Sequence, residues 1–184
     1  MGEALDYSGR FDPEFKHAGL AKDTLLKLLA TYNAYLLRVD GYWYLTVMEK
    51  WGNDEAFDCD VRVWEKAQLW EMKNVSSALS IHGDDVETLM KYIQVSPWMW
   101  IYKYNIDLKD SNHGVLTITH CPTLLSLEKE GTGREKLICQ ELEPKIMGIM
   151  AGFFNPKIEV NPVKVPPRTG YQDCCCQWEF RLPA

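Results

Sequence analysis

Between Asp23 and Ile93 apolar residues return every three or four positions, and after Ser96-Pro97 they return every second one. The first period buries one side of a helix and the second buries one face of a strand. A chain that makes this change once predicts helices first and a sheet after them. Leu25, Leu29, Tyr32, Leu36, Val39, Trp43 and Val47 define a first helix from Asp23, with a kink at Asp40-Gly41 and an end at Gly52. Asn53 or Asp54 caps a second helix, which turns Ala56, Phe57, Val63, Trp64, Ala67, Trp70 and Ala78 to the core and closes at Gly83. Asp84 with Glu87 reads as a capping box opening a short third helix through Ile93.

Beyond Pro97, Trp98, Trp100, Tyr102 and Tyr104 alternate with Met99, Ile101 and Lys103 and predict a strand. A polar loop over 108–114 leads to a returning strand, Val115 to His120. A long helix follows from Arg134 to about Phe154, broken or kinked at Pro144. Lys157 to Lys164 and Gln172 to Leu182 form a second strand pair across the stiff Val165-Pro166-Pro167-Arg168 link. The fold class expected is α+β: N-terminal helices packed on a small antiparallel four-stranded sheet, with a long helix between the two strand pairs. Residues 1–19 read as an N-terminal arm and 20–184 as one domain, helical over 20–95 and sheet over 96–184.

At 184 residues with 46% apolar and 25% charged residues, the chain can bury a core without covalent staples. Its 26 acidic against 20 basic residues give a net charge of -6, which argues against nucleic-acid binding. No apolar run reaches the roughly 18 residues that span a bilayer. The opening MGEALDYSGR carries neither a signal-peptide pattern nor the Ser or Thr of a myristoylation signal. A cytoplasmic location with no membrane partner is expected, and an aromatic-rich small domain suggests a homodimer.

Five of the six cysteines fall in the last third: Cys121, Cys139, Cys174, Cys175 and Cys176, with Cys59 apart. Consecutive cysteines make poor disulfide partners for each other, so in a reducing compartment the group reads as thiolate ligands or a reactive site. Buried cysteines also serve simply as small apolar residues. Cys121 lies at a strand end before Pro122, and Cys139 about two turns into the next helix. Cys174 and Cys176 share one face of the last strand, with Cys175 on the other. Convergence of Cys121, Cys139, Cys176 and Cys174 would suit a metal ion, zinc before iron. Glu143, one turn beyond Cys139, is the expected catalytic carboxylate; a solvated side chain is the plain alternative. His120 faces away from its neighbour. A thiolate nucleophile beside His120 or Arg134 is a second use of the thiols, and disulfide redox chemistry a third.

Gly131-Thr132-Gly133-Arg134 opens a helix where an anion could sit, without the lysine or spacing of a P-loop. The tryptophans could line an apolar pocket, and Arg168 either clamps a carboxylate or lies on the surface.

Cys121-Pro122, Cys139 with its following acidic residue, Phe154-Asn155-Pro156 and Cys176-x-Trp178-x-Phe180 together resemble the L-2-amino-thiazoline-4-carboxylic acid hydrolase-like family over about residues 115–181. Asp40-Gly41-Tyr-Trp43, Trp51-Gly52 and Val63-Trp64 resemble a related uncharacterised prokaryotic family, and the late cysteines are distantly similar to the 4-vinyl reductase domain. The resemblance implies a shared site at Cys121, Cys139 and Cys176, with Asn155 shaping the turn beside it. Asn155, Trp178 and Arg134 are the expected ligand-binding residues. Glu143 stands one position further from Cys139 than the resemblance leads one to expect, and the Cys174-Cys175 pair is additional. The functional expectation is a small-molecule or metal site, extending to hydrolysis of a cyclic C–N or C–S bond. A non-catalytic small-ligand sensor with an aromatic-lined pocket is the alternative, and a structural zinc site a third.

Overall fold

A computed structural model describes residues 6–183. They form helices α1 (Lys22–Trp51), α2 (Asn53–Leu79) and α3 (Val86–Val95), then strands β1 (Lys103–Asp110) and β2 (His113–His120). Helix α4 (Pro122–Glu130), the short α5 (Arg134–Leu137) and α6 (Glu143–Phe154) follow, then strands β3 (Glu159–Lys164) and β4 (Cys176–Arg181). The fold is α+β. Its four strands run antiparallel in the order β1-β2-β4-β3. The chain divides into two compact units, one up to Trp43 and the other from Tyr44.

In the first unit the arm carries a ring stack of Tyr7 on Phe15 and Phe15 on His17, then a single 3-10 turn, His17–Gly19. Helix α1 runs through Asp40-Gly41 without interruption. Of the apolar stripe read from the periodicity only Val47 is buried; Leu25, Leu29, Tyr32, Leu36, Val39 and Trp43 are exposed.

In the second unit, the sheet presents one buried face. Across it the register aligns Leu108, Gly114, Phe180 and Val160, then Ile106, Leu116, Trp178 and Pro162, then Tyr104, Ile118 and Cys176. Helix α3 seats on this face against β2, where a side chain at Gly114 would meet Val86 Cγ1 and Met90 Cγ at 3.3 Å. The main core joins α2, α3, the sheet and α6 through Met72, Leu89, Ile93, Leu116, Met150, Trp178 and Phe180. A second cluster joins Tyr44, Val47, Ala56 and Val61 to Leu127, Ile138 and Leu142. Cys139 and Ile146 pack against both clusters.

Several expected boundaries move for identifiable reasons. Trp98 and Trp100 are not in a strand, because Pro97 starts a 3-10 turn, Pro97–Trp100, in which Trp98 meets Trp64 edge-on at 4.7 Å. The strand therefore begins at Lys103 and consumes most of the expected loop, leaving Ser111-Asn112 as the turn. On α2 the buried side is Ala56, Asp60, Val61, Gln68, Glu71, Met72 and Ser76, not Val63, Trp70 and Ala78. That helix ends at Leu79, with Ser80 in the left-handed conformation. The α3 cap is Asp85, one residue later than expected, and its side chain accepts from the Thr88 backbone N–H at 2.8 Å. Pro122, at the first position of α4, opens a helix for which the apolar period gave no sign. At the sheet edges, β3 carries Pro162 with a register shift beside it, and β1 carries Lys103, Asp107, Lys109 and Asp110 with shifts of its own.

Capping explains why α3 starts where it does. Asp85→Ala should lower stability by about 1 kcal/mol. Gly83→Ala should lower it further, because Gly83 has φ +147 and its added Cβ would fall 2.2 Å from Thr88 Oγ1. Urea denaturation with an unchanged m-value is the measurement for both.

Candidate functional site

Cys121, Cys139 and Cys176 come from three separate elements and lie near enough to influence one another's ionisation. Cys121 is the N-cap of α4, held extended (φ -128, ψ 109) ahead of Pro122, and its sulphur accepts from the Leu124 N–H at 3.4 Å. Cys176 opens β4 and pairs with Ile118 on the buried face of the sheet. Cys139 lies in a π turn, Ile138–Leu142, between α5 and α6. Pro144 has no N–H to return to the carbonyl four residues back. The chain meets this by widening the turn ahead of it, a local device often found at functional sites. Glu143 follows at the first position of α6 and stays on the side of Cys139.

Electrostatics tie these groups to one another. Burial is the chief cause that raises all three thiols, and Glu143 is the strongest charged influence on each. Cys121 is pushed up to about 12 even though the Leu124 N–H favours its thiolate. Cys139 rises further, through burial, Glu143, Cys121 and Cys176. Cys176 rises through burial and Glu143, opposed by the Trp178 indole. Tyr102 belongs to the same group: burial first, then Cys121, Glu143, Cys176 and Cys139, hold its hydroxyl well above the ordinary value. Its position just ahead of β1 was hidden in the sequence by an aromatic alternation that pointed to a sheet face.

No lysine, arginine or histidine stands among the main influences on these three thiols. A thiol at about 12 is roughly one part in a hundred thousand thiolate at pH 7. An activated cysteine nucleophile beside His120 or Arg134 does not fit such surroundings. Among the described residues, no three His, Cys, Asp or Glu side chains are grouped closely enough to hold a metal ion as they stand. Trp178 is fully buried, and its Nε1–H favours the Cys176 thiolate without forming a full hydrogen bond to any acceptor.

The other expected residues are placed elsewhere. Cys174 precedes β4 rather than sharing its face with Cys176; it lines a small open groove with Lys164, Arg168, Thr169 and Asp173. Cys175 is buried beside the site, raised by burial and lowered by Arg168, and it acts on both Cys121 and Cys176. Arg134 pairs with Glu130 and lies 5.0 Å over the Tyr44 ring. Asn155 caps α6: its Nδ2 donates to the Asp84 carbonyl at 2.9 Å, and its Oδ1 accepts from the Lys157 N–H at 3.0 Å. Arg168 is neither a surface residue nor free for a ligand, since its Nε donates to Glu128 Oε1 at 2.8 Å.

A second buried polar group escaped sequence reasoning. Glu71 Oε1 accepts from Tyr92 Oη at 2.5 Å and from Ser96 Oγ at 2.8 Å, and Gln68 Nε2 donates to Tyr92 Oη at 2.9 Å. Burial raises the Glu71 carboxyl, with the Tyr92, Ser96 and Trp98 donors opposing it. The one available signal was a pair of polar residues, Gln68 and Glu71, one turn apart on α2.

Two pH effects follow. The folded Cys121 value lies above the ordinary one, so its contribution to stability is complete below about pH 9 and is lost as pH rises toward 12. Cys121→Ser keeps a capping oxygen and should flatten that alkaline fall in chemical denaturation. Glu71 is also raised, so its contribution is complete below about 4.5 and declines as pH rises through its folded value. Glu71→Gln should be at least as stable as the parent at pH 8, whereas Glu71→Ala should lose about 2 kcal/mol by stranding the Tyr92 and Ser96 hydroxyls.

No curated protein and no solved structure matches the chain. Residues 18–182 match a family of unknown function (DUF6125). That span takes in α2 to α6, the whole sheet and every cysteine of the site, and the chain belongs to this family.

Proposed function

We propose that the chain binds a soft metal ion, zinc before iron, through Cys121, Cys139 and Cys176. The observation that carries this reading is that three thiols from three elements are buried near enough to act on one another's ionisation. Burial raises all three thiols, and Glu143 and Tyr102 share this neighbourhood with them. Thiolate sulphur suits zinc and iron, and a bound divalent cation would favour the ionised form of the three thiols. Binding draws the thiols inward by side-chain rotation and displaces up to three protons. The Trp178 N–H then supports the Cys176 thiolate from outside the ligand shell.

Three protein thiolates leave a fourth position for water. In the catalytic form of this reading the ion would supply an activated water for hydrolysis of a small cyclic C–N or C–S substrate, and Glu143 would be the residue that moves the proton to the leaving atom. The unpartnered Trp178 donor favours a second reading, a non-catalytic site in which it meets an acceptor on a small ligand.

Purification without tag or chelator followed by elemental analysis tests the first reading. About one zinc per chain is expected, lost in Cys121→Ser, Cys139→Ser and Cys176→Ser and kept in Cys174→Ser. Apparent zinc affinity should rise steeply with pH, because protons compete for raised thiols. Absence of stoichiometric metal at pH 8, with zinc giving no thermal stabilisation, would overturn it in favour of the ligand site. Glu143→Gln should retain the metal and lose any hydrolysis.

A further inference from the structure

The exposed side of α1 has the pattern of a helix that lies against another helix. Leu25, Leu29, Tyr32, Leu36, Val39 and Trp43 follow steps of four and three throughout, the a and d positions of a heptad repeat. All six are large and apolar, and they are 37% to 57% exposed. Tyr35 and Tyr42, at the neighbouring g positions, are 65% and 63% exposed and widen the stripe. No charged residue stands at an a, d or g position between Leu25 and Trp43. A monomer rarely leaves so continuous an apolar surface uncovered.

We propose that a second copy of this chain covers it, with the two α1 helices packed antiparallel about a two-fold axis near Ala34. Two arguments choose this occupant. The first is area. Taking roughly 180 Å² per side chain as a mean over aliphatic and aromatic residues, full burial of these six and of the flanking Tyr35 and Tyr42 would cover at most about 700 Å² per copy. Two copies would bury about 1,400 Å², within the range of specific interfaces.

The second argument is the order of residue sizes along the seam. An antiparallel pair sets a positions against d positions, so Leu25 meets Trp43, Leu29 meets Val39 and Tyr32 meets Leu36. The large rings are thereby shared out, one against an aliphatic partner in each of two layers, which keeps layer volumes even. A parallel pair would put Trp43 on Trp43 and Tyr32 on Tyr32. Because the repeat is strict over 25–43, the pair winds as a left-handed supercoil.

Sedimentation velocity of the full chain over a concentration series tests this. A dimer is expected, weakened about 100-fold or more by Leu36→Glu, because a carboxylate buried in the seam has no partner. Leu29→Glu should weaken it similarly. Adding Val39→Lys to Leu29→Glu should restore most of the affinity, since position 29 faces position 39 of the other copy only in the antiparallel arrangement. Circular dichroism melts confirm that each variant is folded, and the double variant remains informative if Leu36→Glu is not. A wild-type monomer at every concentration, a dimer indifferent to Leu36→Glu, or a double variant no better than the single one overturns the proposal.

Discussion

Core and site are built on one alternation. Cys176, Trp178 and Phe180 point to the same face of β4, opposite Ile118, Leu116 and Gly114 on β2. Burying Trp178 and Phe180 under α3 and α6 therefore carries the Cys176 thiol inward as well. A slip of one residue would turn all three outward together, so site and core are gained or lost as a unit. Gly114 fixes how closely α3 approaches, and the π turn before Pro144 fixes where Cys139 meets that face.

Glu71 and Glu143 sit in contrasting surroundings. Glu71 is surrounded by donors from Tyr92 and Ser96, so its oxygens are satisfied within the fold and it binds α2 to α3. The cysteine group has Glu143 and Tyr102 among thiols that oppose one another's ionisation, beside an indole N–H without an acceptor. The first arrangement is complete in itself. In the second, three thiols are held close to one another's influence in a buried setting, and that is where function is to be sought.

Much of this was legible in the sequence. The change of period at Pro97 marks the fold class, and the positions of Cys121 at a strand end and Cys176 on the last strand were read from the same patterns. Tyr102 and Glu71 were hidden because their environments depend on neighbours distant in the chain. Trp98 and Trp100 misled because Pro97 opens a 3-10 turn there, which buries Met99 and leaves Trp100 exposed. Cys174 misled because alternation holds only where a strand exists, and β4 starts two residues after it. The α1 stripe shows the limit most plainly: its spacing identifies a helix with an apolar side but not what that side lies against.

The sheet's outer strands have a consequence for how this chain meets other chains. Pro162 withholds a donor from the outer rim of β3 beside a break in register, and β1 bears Lys103, Asp107, Lys109 and Asp110 along an irregular margin. Neither rim offers the long, even row of amides and carbonyls that an incoming extended peptide needs. Recruitment of a peptide as a fifth strand, and sheet-to-sheet growth into fibrils, are thus both discouraged by the same few residues.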